Sequence, residues 1–414
     1  MKVRDAIGGA LLLGLLACAD ARGGWQEVAP MPAPRWFHVA GVGGDGRIYA
    51  FGGYVWDEQA RPRRQYGKGE RSLVIYDPRR DEWVTGPPVP PFQFTIRYRA
   101  GEKKADGRVL HYEVDDIMSR EVPHEIPCGG AGLAGRLYWF GGRGVVFFDP
   151  AAGAWDQPMG PTWHQTTRTT SGPTYLYSRK VAATATDRAG RLYLIGGIGL
   201  PMGDRSPKRR SRVLREVEVY DPAAHRWEEI APMQQGRQHF SAAFGAEGRL
   251  YVFGGYGHTG MSTQEPGESY EEFIARSDRE MGTAMLDSVE AWDPTTNEWS
   301  PRASMPVAIE ASRAALGADG RIYVVGGSRS VSRVKGERIV QVYDPRTDSW
   351  SMGPKLRVER QGHAMVATPD GRIWVIGGTN RHNVFHPRMI VGGEPGSRGG
   401  PLASVEVLDT RPRP

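Results

Sequence analysis

The residues best placed to do chemistry in this 414-residue chain form a column repeated along it. Arg35, Arg179, Arg237 and Arg360 each lie twelve positions before a second arginine, at 47, 191, 249 and 372. The same count back from Arg136 and Arg321 reaches His124 and Ile309, and Glu125 and Glu310 follow those two. Arginine presents a planar fork that binds carboxylates and phosphates bidentately. Arg35, His124, Arg179, Arg237 and Arg360 are therefore candidate binding residues for an acidic ligand. Glu310 and Glu125 are the candidate acid–base groups should the chain be an enzyme. A second reading of the arginines is architectural, as repeat residues that bond loop carbonyls. His38, His239 and His363 lie two or three positions after column arginines and read as packing residues. No His, Asp, Glu or Cys set has metal-ligand spacing. Walker, nucleophile-elbow and zinc-protease motifs are absent, so no cofactor and no metal is expected.

These residues sit in a repeated frame. Gly-Arg, an apolar pair and Gly-Gly recur six times, from Gly46-Arg47-Ile48-Tyr49 with Gly52-Gly53 to Gly371-Arg372-Ile373-Trp374 with Gly377-Gly378. Five copies are followed by an Asp-Pro and a Trp six residues after the Asp: Asp77 and Trp83, Asp149 and Trp155, Asp221 and Trp227, Asp293 and Trp299, Asp344 and Trp350. The sixth, Val405–Asp409, has no Trp after it. The missing piece is at the other end, where Trp25 to Pro32 resembles the segments that start at Trp227 and Trp299.

Six matched pairs of phrases over residues 25–409 closely resemble the kelch repeat. The resemblance implies an all-β fold, a six-bladed kelch β-propeller whose ring is closed by an N-terminal strand completing the last blade. It also places the arginine column at the mouth of the central channel. Kelch propellers commonly bind proteins or glycans through the loops on that face, which implies a non-catalytic recognition module. Exported sialic-acid mutarotases are similar in length, export and blade number. They suggest an alternative enzyme, with Glu310 or Glu125 as the base and Arg237 or Arg360 as carboxylate clamp. Copper-radical oxidases of the galactose-oxidase type are a more distant alternative, since that family has seven blades and Cys128 is the only cysteine available for its crosslink.

Loop lengths point to one face. Between the Gly pair and the Asp lie as few as 6 residues (Gly142 to Asp149) and as many as 37 (Gly255 to Asp293). The turns on the opposite face keep their length. Insertions confined to one face mark a binding face. The insertions span 84–123, 156–178, 256–287 and 379–403. Within them, 93–114 reads as a hairpin with Thr95–Tyr98 and Val109–Tyr112 as arms. Residues 269–281 read as a short capped helix. Several of these loops are basic, including Arg61, Arg63, Arg64, Lys68, Arg71, Lys208–Arg210, Arg212, Arg215, Arg329, Arg333, Lys335 and Arg338. A basic rim concentrates anions.

The first residues read as an export signal, with Lys2 and Arg4 ahead of an apolar stretch. Residues 1–17 then form the signal peptide and Leu15-Leu16-Ala17-Cys18 a lipobox with Cys18 lipidated; cleavage after Ala21 is the alternative. Residues 18–24 read as a linker and 410–414 as a tail. With Cys18 lipidated or removed, Cys128 has no partner and no disulfide framework is expected. The net charge is +6, and export argues against nucleic acid. The expectation is a monomer at the cell envelope that meets a protein or an acidic glycan and touches the membrane only through its N-terminal lipid.

Overall fold

Each repeat alternates bulky apolar residues in runs of four or five, the length of a short strand with both faces covered. In the computed structural model these runs build six four-stranded antiparallel sheets. The structure describes residues 23–55, 68–90, 92–103, 109–120, 128–131, 135–141, 144–156, 177–201, 212–224, 226–257, 285–329, 335–380 and 400–412. Blade 1 is Val39–Val42, Ile48–Phe51, Leu73–Asp77 and Glu82–Thr85. Blade 2 is Cys128–Ala131, Leu137–Gly141, Gly144–Asp149 and Ala154–Asp156. Blade 3 is Ala183–Thr186, Leu192–Ile195, Val217–Asp221 and Arg226–Ile230. Blade 4 is Ser241–Phe244, Leu250–Phe253, Val289–Asp293 and Glu298–Arg302. Blade 5 is Arg313–Leu316, Ile322–Val325, Val340–Asp344 and Ser349–Met352. Blade 6 takes Ala364–Ala367, Arg372–Ile376 and Val405–Asp409 from the end of the chain, and its outer strand, Gln26–Val28, from the start.

The six first-named strands neighbour one another in a closed ring, blade 6 meeting blade 1. They are rich in Ala, Gly, Ser and Val because six strands converge there and leave little room for bulk.

Two hydrogen-bonded belts hold the ring. The outer one, among the described residues, uses the Trp of five blades. Trp83 Nε1 donates to the Ala29 carbonyl (2.9 Å), Trp155 to Pro87 (2.9 Å), Trp299 to Ala231 (2.7 Å), Trp350 to Ala303 (2.8 Å) and Trp25 to Pro354 (2.8 Å). Each bond runs to the preceding blade. Trp25 and Ala29 thus join blade 6 to both its neighbours, which is the ring closure expected from the sequence, and pairing of the last third strand leaves it no open edge.

The inner belt was not foreseen. Two positions after the column residue, Phe37, Val181, His239 and Ala311 hold φ of 50°, 50°, 53° and 49°, and Gly362 holds 57°. Phe37 N–H donates to Gly362 O (2.6 Å), Gly362 to Ala311 (3.2 Å), Ala311 to His239 (2.7 Å) and His239 to Val181 (3.2 Å). Left-handed backbone at a non-glycine residue costs of order 1–3 kcal/mol. The bonds between blades hold it in place.

Between blades, buried aromatics stack. Tyr49, Tyr193, Tyr251 and Tyr323 bury their rings and donate to Asp45 (2.8 Å), Asp187 (3.2 Å), Glu247 (2.6 Å) and Asp319 (2.8 Å) in the turns. The Gly pairs are needed where strands meet closely. Gly327 has φ +99°, and a Cβ there would stand 2.4 Å from the Glu310 carbonyl.

The second-to-third and blade-to-blade connections leave on one face, as expected. The hairpin is longer than read from the sequence. Phe92–Lys103 pairs with Val109–Arg120, so Thr95 faces Ile117 and not the Val109–Tyr112 arm. The arms are twelve residues each, and the strands pair with each other alone. A second addition is a separate three-stranded sheet of Tyr177–Lys180, Ile198–Pro201 and Arg212–Val213, joined in sequence to the strands of blade 3. The expected helix at 269–281 and the signal segment with Cys18 lie outside the described residues.

Candidate functional site

The arginine column lies inside the blades. Arg237 is fully buried. Its Nη1 donates to the carbonyls of Gly254 (3.1 Å) and Ser288 (3.0 Å), and its Nη2 to Ser288 Oγ (3.2 Å) and Glu290 (2.7 Å). Arg360 repeats this with Gly377 (2.7 Å), Ser404 O (3.1 Å), Ser404 Oγ (3.0 Å) and Glu406 (2.7 Å). Arg35 reaches Ser72 O (3.2 Å) and Oγ (2.9 Å). Glu290 and Glu406 also accept from the chain entering the blade, at Gln234 and Gln235 and at Arg357 and Val358. Each arginine therefore ties its blade's first strand to the third. Burial pulls all three guanidinium groups below their ordinary pKa, against the Glu290 and Glu406 carboxylates that hold two of them up and Glu70 that holds up Arg35.

Blade 5 shows what the pair does. Where Arg would stand there is Ile309, and where Glu290 and Glu406 stand there is Gln341, which bonds Val307 N–H (2.8 Å) and carbonyl (3.0 Å). Cation and anion are both absent together, so no buried charge is stranded. The arginines at 35, 237 and 360 are architectural and do not form a clamp for an acidic ligand. Arg179 lies on the added three-stranded sheet, opposite Gly199. His124 and Glu125 lie outside the described residues.

The described basic loop residues are largely committed as well. Arg71 Nε donates to Val89 O (2.8 Å), Arg338 Nε to Leu356 O, and Arg215 Nη1 to Gln234 O (3.4 Å). Lys335 pairs with Glu359 at 2.8 Å. These arginines staple the entry of the third strand to the outer connection.

The layer one residue further on differs. Trp36, Gln238, Glu310 and Gln361 are buried, and each pairs across the loop face with a residue just past a Gly pair: Tyr54, Tyr256, Ser328 and Thr379. Side chains alternate along a strand, so these four turn away from the blade body that takes the arginines. Gln361 is 0% exposed, and neither its Oε1 nor its Nε2 has a hydrogen-bond partner. The Trp36 Nε1 is also buried and unbonded. Leaving such a group unmade costs about 1–3 kcal/mol. Glu310 is 2% exposed. Burial pushes its carboxyl up to about 8, with the Tyr256 hydroxyl acting against that rise. Sequence reading singled out Glu310 in this layer and passed over Trp36, Gln238 and Gln361, because the residues at this position differ from blade to blade. That variation was itself the signal, since architectural positions repeat.

His38 and His363 pack against Gly377, and against Gly326 and Gly378, between blades. Burial drives both imidazoles well below their ordinary 6.5, with neighbouring arginines adding to it. They are packing residues, as read from the sequence. Among the described residues no three His, Cys, Asp or Glu side chains come together as a metal site. No helix among them is long and apolar enough to cross a membrane.

A family model described as the Kelch motif matches residues 35–90, 188–234, 285–306 and 311–357. The chain is 31% identical to Kelch-like protein 35 of Mus musculus over 196 residues, which is 47% of this chain and 26% of the relative. It is 28% identical to alpha-scruin of Limulus polyphemus over 198 residues, 40% of this chain and 21% of the relative. It is 27% identical to Kelch repeat and BTB domain-containing protein 12 of Danio rerio over 206 residues, 47% and 29%. The chain thus spans about a quarter of the length of these relatives.

Proposed function

The chain is a kelch-repeat β-propeller, and we propose that it is a recognition module of the cell envelope that binds its partner on the loop-rich face. One observation carries this reading. The long connections and the twelve-residue hairpin arms all leave the face on which the channel mouth holds buried polar groups without partners. Propeller scaffolds tolerate insertions, but drift gives no reason for unmet hydrogen bonds beneath them. The envelope location rests on the export and lipobox residues that end at Cys18. The partner is a protein or a glycan.

A catalytic reading has one supporting observation. Burial pushes the Glu310 carboxyl up to about 8, toward the range in which a general acid–base is effective. Its weakness is the clamp, because Arg237 and Arg360 are enclosed in their blades. Proton-exchange NMR of sugar acids, with Glu310→Gln as control, tests it directly.

The recognition reading is tested by hydrogen exchange with and without bound partner. Protection is expected at Tyr54, Ile198–Pro201 and Ser328. Protection confined to the turns at 44–47 and 294–297 would place the binding surface on the wrong face and overturn the reading.

A further inference from the structure

The chemistry of the mouth layer names a ligand class; the inference rests on the recognition reading above. Four consecutive blades, 4, 5, 6 and 1, contribute Gln238, Glu310, Gln361 and Trp36. The residues that follow them, His239, Ala311, Gly362 and Phe37, are joined in sequence by the inner belt of backbone bonds. The four positions therefore stand side by side around the ring on the loop side of the inner belt. The Tyr256 hydroxyl of blade 4 acts on the Glu310 carboxyl of blade 5, so groups of this layer meet across the gap between blades.

The set is mixed in hydrogen-bonding sense and lacks a cation. Trp36 Nε1 and Gln361 Nε2 are unmet donors, and Gln361 Oε1 is an unmet acceptor. Burial and the Tyr256 hydroxyl are the influences on the Glu310 carboxyl, and among the described residues no arginine or lysine is one of them. Blade 5 is the blade whose column arginine is replaced, by Ile309. An anion arriving here would meet the Glu310 carboxyl, and Arg313, which acts on His38 and His363 among the described residues, is not one of the influences on that carboxyl. A hydroxyl is both donor and acceptor, and adjacent hydroxyls on one ring answer donors and acceptors together. The Trp36 and Tyr54 rings, 6.0 Å apart, add an apolar wall for the C–H face of such a ring.

We propose that the channel mouth binds a neutral, hydroxyl-rich ligand, a neutral sugar unit, held by Gln361, Trp36 and Glu310. The acidic glycan expected from the sequence is replaced by a neutral one, because the arginines that motivated it are enclosed in the blades.

The test is calorimetric titration of the full mature protein with neutral gluco-, galacto- and manno-oligosaccharides and with the matching uronic-acid oligomers. Neutral oligosaccharides should bind with an affinity that salt does not change. Glu310→Gln and Gln361→Met should each weaken that binding at least tenfold. Melting temperature separates a binding role from a structural one. Gln361→Met removes no hydrogen bond, so it should melt at or above the parent temperature, whereas a structural Gln would lower it. Preference for uronic acids, binding unchanged in both variants, or no binding of any oligosaccharide would each overturn the proposal. In the last case, a peptide or protein bound on the same face would leave the recognition reading standing.

Discussion

At the residue scale, the same arginine fork that suits an anion also suits two carbonyls, a serine and a glutamate inside one blade. Sequence spacing located Arg35, Arg237 and Arg360 correctly and left both uses open. The deciding partners, Ser288 with Glu290 and Ser404 with Glu406, lie 44 to 53 positions away. Breaking one buried ion pair leaves a stranded charge and costs about 3–5 kcal/mol. Arg237→Ile alone should lose that much in denaturant unfolding. Arg237→Ile with Glu290→Gln copies the Ile309 and Gln341 pair of blade 5 and should recover most of it. If the double variant is as unstable as the single, the exchange is not compensatory. Buried titrating groups set the pH response. Glu310 sits near 8 against an ordinary 4.5, so the folded chain keeps a proton the unfolded one has released. Stability from that proton is complete below pH 4.5 and is lost as pH rises toward 8. His38 and His363 stay neutral when folded and take protons near 6.5 when unfolded, so they erode stability as pH falls below 6.5. Between pH 6.5 and 8 only the Glu310 term operates among these three. Melting temperature should decline over that window in the parent and stay level in Glu310→Gln. A parallel decline in both would remove Glu310 as its source.

At the element scale, strands were legible because each copy states its own pattern. Gly46-Arg47-Ile48-Tyr49 announces a second strand and Trp83 a fourth, and six copies make the period plain. The inner belt was hidden because no single residue type marks it. Phe37, Val181, His239, Ala311 and Gly362 share only a backbone conformation, imposed by bonds to the next blade. Hairpin length was hidden because the outer part of the second arm, Asp115-Asp116-Ile117-Met118-Ser119-Arg120, is largely polar and does not alternate as a strand. Trp25 supplies a buried ring and the bond to Pro354, so Trp25→Ala should cost about 3–5 kcal/mol by thermal unfolding. An unchanged melting curve would mean that the N-terminal strand does not close the ring. The hairpin, by contrast, pairs only with itself. Replacing residues 92–120 with a short Gly-Ser linker should shift the melting temperature little while reducing partner binding. A large loss of stability would make it a structural brace.

At the scale of the whole molecule, two belts of hydrogen bonds join neighbouring blades among the described residues and leave one face free to vary. The turn face keeps its length and spends its acids on the buried tyrosines. The loop face carries every insertion and the unmet polar layer. Architecture was legible in the sequence because repetition multiplies a weak signal. The layer at Trp36, Gln238, Glu310 and Gln361 was legible only at Glu310, because there the repeats cease to agree. The most direct measurement places a single photoreactive residue at Arg329 or Lys335 on the loop face, or at Asp45 or Thr295 on the turn face, and irradiates the protein in intact envelopes. The account predicts one common adduct from both loop-face positions and none from the turn face. An adduct formed from Asp45 or Thr295, with none from Arg329 and Lys335, would contradict it.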